Sequence, residues 1–248
     1  MRQLLSEILK FVELELSAPK REISDELKKL VASCNNDITP KYTAVDSGYV
    51  VQRVGEVDIL IQSIVAIGDE VKRRFIIQKV LEDPHHDARI NEIHFAESFR
   101  GLVVVDGPLT PYVNGGDVVG VSKEPKAVRY GPRIPEKELR ELFINLSKAL
   151  GEIKVAGELL AEAPRGSYLR PVEVGGFYGT FFKSDWVLYV EFPKGLDASE
   201  ICGLFRRYPI KLRIAHHLSK INRQYLDSIK LLFSNIGKVH YLHLREIL

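Results

Sequence analysis

Leu102-Val103-Val104-Val105-Asp106-Gly107-Pro108-Leu109 is the segment around which the rest of the chain can be arranged. Leu102 to Val105 is a continuous apolar run, rich in valine. It fits a strand buried on both faces, because a strand with one wet face would alternate. Asp-Gly-Pro then stops the strand and leaves a carboxylate at its end. Upstream, Ala88 to Arg100 offers Ile90, Ile93, Phe95 and Ala96 for packing and reads as a helix, with Gly101 ending it. Further upstream, Tyr42 to Val45, Tyr49 to Val54, Val57 to Ile67 and Val71 to Leu81 read as strands rich in Val and Ile. Ser47-Gly48 is read as a turn, and Asp83-Pro84 as the break before the helix. Antiparallel strands, then a helix, then a buried parallel-type strand suggest an α/β fold of the ribonuclease-H kind: a mixed sheet flanked by helices.

The flanks extend this plan. Leu4, Leu5, Ile8, Leu9, Val12 and Leu16 recur at helical spacing, so Met1 to Leu16 is expected to be an amphipathic helix. Ser24 is placed to cap a second helix carrying Leu27 and Leu30. Residues 1–38 thus form a helical appendage to a single domain spanning 1–248. Val118 to Val121 is a short strand, and Pro135 opens a helix through Leu150. Gly175 to Phe182 and Trp186 to Phe192 are expected to pair. Ala198 to Arg207 and Ile214 to Phe233 read as helices, and Val239 to Leu244 as a final edge strand.

A chain of 248 residues, 45% hydrophobic and 27% charged, buries a substantial core without staples. Its net charge of +2 is too mild to demand a nucleic-acid partner, so any basic surface must come from local clustering. Clusters exist at Lys72-Arg73-Arg74, Arg129, Arg133, Arg206-Arg207, Lys211 and Arg213; a charge run is by default a solvated face. Cys34 and Cys202 are read as two isolated thiols, consistent with a reducing, cytoplasmic setting. Charges interrupt the N-terminal apolar positions, so neither a signal peptide nor a membrane span is expected. Few thermolabile residues among many charges hint at a thermophile. No G-x-x-x-x-G-K-[ST] run is present, so the chain does not read as its own motor. No G-x-S-x-G elbow or spaced zinc-ligand set is present either.

The chemistry lies in the carboxylates. Asp46 and Asp106 each fall where a strand is expected to end, and Glu92 and Glu97 lie on the helix between them. Carboxylate oxygens suit hard Mg²⁺ or Mn²⁺, and two such ions about 3.5–4 Å apart can activate water and relieve leaving-group charge in phosphodiester cleavage. Glu92 is the preferred third ligand, on the same helix face as Phe95 and Ala96; Glu97 is the reserve. Each residue also has a plain reading. An Asp before Gly is often only a turn residue, and a lone helical Glu is usually solvated. His85-His86-Asp87 reads as loop, and His216-His217 as the opening of a helix. Asp185 and Glu191 read as a polar strand edge. Tyr112, Phe177, Tyr178 and Phe181 could stack on bases of a single strand, with core packing the plainer assignment.

Several motifs, in order, resemble the NurA nuclease family. Val103 to Leu109 resembles its hydrophobic DGPL/DGSL motif, and Ala44-Val45-Asp46-Ser47-Gly48 its first motif, here Asp-Ser-Gly where Asp-Gly-Ser is usual. Val119-Gly120-Val121-Ser122-Lys123 is similar to the later vGvsK strand, and Tyr208-Pro209 with Leu212 and Ala215-His216 to the late YP…L…AH element. The resemblance implies a Mn²⁺- or Mg²⁺-dependent 5′-to-3′ DNA nuclease, usually a homodimer. Family members work with a hexameric HerA-type translocase in resecting DNA ends during double-strand-break repair. It further implies Asp46, Glu92 and Asp106 as metal ligands, His216 as a ligand or proton shuttle, and Lys123 as a contact to the scissile phosphate. The inverted first motif and the short loop between Leu109 and Val118 motivate a second reading, a catalytically weakened relative that binds DNA or regulates.

Overall fold

The computed structural model describes residues 24–222 apart from 37, 124, 126 and 127, and then 225–228 and 231. The helix expected over Met1 to Leu16 and the strand over Val239 to Leu244 lie outside the described residues. A short helix α1 (Asp25–Lys28), capped by the Ser24 hydroxyl, leads to β1 (Val31–Ala32). Three long strands follow: β2 (Tyr42–Val54), β3 (Val57–Ile67) and β4 (Val71–Lys79). Helix α2 (Pro84–Glu97) returns the chain to β5 (Leu102–Asp106), which is followed by β6 (Val118–Ser122). Helices α3 (Lys137–Leu150) and α4 (Glu152–Leu159) precede β7 (Tyr168–Leu169), β8 (Val172–Val174), β9 (Phe177–Lys183) and β10 (Val187–Pro193). The described chain then forms α5 (Ala198–Ile201), a 3₁₀ turn (Cys202–Arg206) and α6 (Ile210–Ser219).

The described strands join in one ten-stranded sheet ordered β1-β7-β9-β10-β6-β5-β2-β3-β4, with β8 paired on β9. β5 lies parallel to both β2 and β6, whereas the β2-β3-β4 pairings are antiparallel. The expected α/β architecture, a mixed sheet flanked by helices, is the one observed. Val103, Val104 and Val105 are all essentially buried, as a central strand requires.

Strand periodicity sorts the core into two layers. Ala44, Val104, Val119 and Val121 share one face with Leu212 of α6. Val45, Val103, Val105 and Val118 share the other with Ile93 and Ala96 of α2. A further cluster packs α3 and α4 through Phe143 and Val155 against Tyr130, Phe181 and Tyr189.

Five local readings are corrected. Ser47-Gly48 is no turn: β2 runs unbroken, and Gly48 pairs with Ser63 in a register that holds from Ala44 to Val54. Ladder pairing here overrides the turn preference of the dipeptide. The helix before β5 begins at Pro84, with Asp83 accepting bonds from the His85 and His86 amides, so His85-His86-Asp87 is a first helical turn rather than loop. His216 and His217 end α6 instead of opening a helix. Glu191 lies inside the sheet, because β10 is flanked by β9 and β6. The two cysteines are not isolated thiols: a disulfide joins Cys34 to Cys202.

Candidate active site

The parallel register Val45↔Val105 sets Asp46 of β2 beside Asp106, the last residue of β5. Asp106 pairs in turn with Val121, and Lys123 stands two residues on along the same face. Lys123 Nζ lies 3.4 Å from Asp106 Oδ2. Asp106 thus ends its strand as expected, whereas Asp46 sits within a strand. What exposes Asp46 to chemistry is the neighbouring strand's end, not its own.

Helix α6 covers this face. Lys211 near its start donates from Nζ to the carbonyls of Tyr42 (2.9 Å) and Gly68 (3.1 Å). Its last turn rests on Gly48, where a Cβ would fall 2.7 Å from the Ser219 carbonyl oxygen. Glycine at 48 therefore sets how closely the helix approaches the strand. The result is that His216 Nδ1 lies 2.8 Å from Asp46 Oδ2 and 4.0 Å from Asp106 Oδ2. One ligand atom each from Asp46, Asp106 and His216 falls within 4.8 Å of the others.

Glu92 reaches the same small cavity from the opposite face. The roughly 190 Å³ space is lined by Asp46, Glu92, Asp106 and Arg89, and by Tyr49, His85 and Tyr112. Glu92 Oε2 accepts from Ser47 Oγ at 2.6 Å, and Oε1 from Arg89 Nη1 at 2.6 Å. Its oxygens are outside the Asp46–Asp106–His216 group. Glu97, the reserve candidate, is exposed near the end of α2.

Electrostatics mark the site. Burial and then the Asp106 charge push the Asp46 carboxyl up to about 7. Burial also raises Glu92, although the Arg89 guanidinium opposes it. Protons or a cation thus fill the role of counter-charge among these groups. Two carboxylates and an imidazole form a donor set suited to Mn²⁺ or Mg²⁺, and Asp46 stays raised because burial and the Asp106 charge outweigh the pull of Arg89 and Lys123. Tyr208, whose ring lies 4.6 Å below Lys123 Nζ, keeps its phenol proton: burial and the Asp106 and Asp46 charges hold its ionisation well above the usual range.

Three supporting residues escaped the sequence reading. Arg89 is buried and donates to the Asp106 carbonyl at 2.5 Å and twice to the Pro108 carbonyl, at 3.1 and 2.9 Å. Gly107 makes room for it, with φ 105° and a would-be Cβ 3.3 Å from the guanidinium carbon. Ser47 bridges strand to helix through Glu92 and also accepts from Gln62. Glu191, fully buried, accepts from the Leu109 and Thr110 amides and the Thr110 hydroxyl, and pairs with Arg129 at 3.0 Å. It pins the loop that follows Asp106. The only sequence signal for Glu191 was a charge within an apolar strand.

A mixed sheet whose parallel central strands bring two aspartates under a histidine defines an α/β protein with an acidic, metal-accepting site. The family model described as NurA domain matches residues 40–221, and the chain belongs to the NurA family. The NurA nuclease from Sulfolobus solfataricus is similar in structure, with a TM-score of 0.60 at 17% identity over 96% of this chain and 97% of that one. NurA bound to dAMP and manganese gives a TM-score of 0.51 at 10% identity, over 89% and 94% of the two chains. A further NurA structure gives 0.52 at 10% identity, over 93% and 97%. Such low identities speak for the fold. No curated protein matches the chain in sequence. Among the described residues no helix is long and apolar enough to cross a membrane.

Proposed function

We propose that this chain is a divalent-metal-dependent deoxyribonuclease. The carrying observation is the convergence of Asp46, Asp106 and His216 within 4.8 Å beside the end of the central strand. These three would hold Mn²⁺ or Mg²⁺, with Glu92 the third carboxylate of the site from the opposite face. When bound, the ion supplies Lewis-acid relief of the charge that develops in phosphodiester hydrolysis. The chain's own groups do the rest. Asp46 would bind the ion as its carboxylate, and His216 Nδ1, 2.8 Å away, fixes the orientation of that group. Lys123 offers an ammonium beside Asp106 for a phosphate oxygen. Arg89, by gripping the Asp106 and Pro108 carbonyls, keeps the strand end from drifting.

Family membership supports the finer reading: a 5′-to-3′ exonuclease, with single-strand endonuclease activity, that resects DNA ends as a homodimer beside a hexameric HerA-type translocase. The test is end-labelled single- and double-stranded DNA with Mn²⁺ or Mg²⁺, for the parent protein and for Asp46→Ala and Asp106→Ala. Cleavage by the parent and by neither variant is expected, and the labelled products give polarity. A folded parent that leaves both DNAs intact with either metal would overturn the proposal in favour of a DNA-binding or regulatory subunit.

A further inference from the structure

Beside the acidic cluster lies a larger groove, about 650 Å³, whose chemistry the hydrolytic site does not use. Arg165, Arg206, Arg207 and Arg213 line it, against the single carboxylate of Asp185. Asp185 is engaged by Arg165 at 3.0 Å, and Arg206 donates to the Cys34 carbonyl. Arg207 and Arg213 are exposed, and no described carboxylate pairs with either. Two cations held open in one groove fit consecutive phosphates better than they fit a solvated face alone.

Tyr208 ties the groove to the acidic cluster. It lines the groove, lies under Lys123, and carries Arg213 5.7 Å from its ring. Trp186, next to Asp185, stacks on Tyr208 with centroids 5.4 Å apart and planes 25° from parallel, yet remains 43% exposed. An indole held flat by a ring beneath it, with much of its surface wet, is a ready stacking platform. A paired base inside a duplex cannot reach such a platform without unstacking; a base of a single strand can.

We propose that this groove carries single-stranded DNA to the acidic cluster, with a base stacked on Trp186 and phosphates on Arg207 and Arg213. The inference rests on the nuclease reading for the identity of the polymer, and its test is independent of cleavage. Trp186 is the chain's single tryptophan, so its fluorescence reports on this one place. The protein is titrated in EDTA with an oligothymidylate of about 12 nucleotides, within the usual single-strand site sizes. Tryptophan emission and the anisotropy of a labelled oligonucleotide are read together, and a blunt duplex of equal length serves as the contrast. Quenching by the single strand and not by the duplex is expected. Trp186→Ala should weaken binding about 5- to 150-fold, as loss of one stacking platform does, and Trp186→Phe should recover most of it. Replacing Arg207 and Arg213 together by alanine should lower the salt slope of single-strand binding by about 1.4. Binding seen by anisotropy with emission and both sets of variants unchanged would place the strand elsewhere and leave the nuclease reading standing. Absence of binding would overturn the groove, and the separate cleavage assay would then decide the fate of the enzyme.

Discussion

Asp46 shows how a side chain can be legible as a candidate while its surroundings are not. Its resemblance to a motif marked it; that it lies within a strand follows only from the long β2–β3 ladder, and that it is 5% exposed and faces His216 follows from the seating of α6. Its raised carboxyl makes stability depend on pH. Between the ordinary 3.8 and about 7, the folded protein keeps a proton that the unfolded chain has lost. Metal-free protein should therefore lose stability as pH rises through that window, by on the order of 1–3 kcal/mol, and level off above it. Glu92, also raised, acts in the same direction. Thermal melts in EDTA should show the decline. Mn²⁺ at pH 8 should reverse it, and Asp46→Asn should shrink it to the share that Glu92 contributes while abolishing cleavage. A pH-independent melting temperature in EDTA would refute the assignment. Arg89 gave no sequence signal, because its partners at 106 and 108 arrive through the fold. Removing it leaves Glu92 Oε1 and the Asp106 and Pro108 carbonyls without their donor in the interior, so Arg89→Ala should cost about 3–5 kcal/mol in urea unfolding. Replacing Arg89 and Glu92 together by Met should recover much of that; if the pair of changes merely adds, the two groups are not coupled as the 2.6 Å contact implies.

The elements around the site were readable where one periodicity dominated. The valine run of β5, the strands β3 and β4 and helix α3 stand close to where their residues place them. The misreadings in the strands share one cause: local signals were outvoted by pairing partners far along the chain. Ser47-Gly48 carries turn chemistry, yet Ser47 serves Glu92 and Gly48 serves α6. The Asp-Ser-Gly order thus has a use in this fold, one residue for each face of β2. A side chain at 48 should separate α6 from the strand and draw His216 away from Asp46. Gly48→Val is expected to cost about 1–3 kcal/mol by overpacking. Its cleavage rate, normalised to folded protein, should fall on the order of 10- to 100-fold, as misplacement near reacting groups does. A variant that is destabilised but fully active would show that the seating of α6 does not position His216 for catalysis. Glu191 teaches the same lesson from the interior. A lone charge in an apolar strand looks like an edge residue until the strand is found between two others, with backbone amides of a distant loop as its partners.

The Cys34–Cys202 bond could not be read from spacing, since two cysteines 168 residues apart fit a pair of thiols as well as a cross-link. In the folded chain it joins the segment after β1, at one end of the sheet, to the 3₁₀ turn that precedes α6. It therefore closes a loop containing the whole catalytic sheet from β2 to β10. A closure of that length restricts the unfolded chain strongly, and the chain-entropy relation gives about 5 kcal/mol as an upper figure. Its placement also separates stability from catalysis. The cysteines sit on the groove side of the molecule, and neither touches Asp46, Asp106 or His216 among the described contacts. Cys34→Ser/Cys202→Ala protein should then unfold with a stability lower by about 2–5 kcal/mol, while cleavage well below its melting temperature stays within about twofold of the parent. Reductant should shift the parent's denaturation curve toward that of the variant and leave the variant's own curve in place. If reductant leaves the parent's curve unmoved and thiol titration finds two free groups in the native protein, the bond is not formed in solution. The sheet would then be held by its core and its buried ion pairs alone.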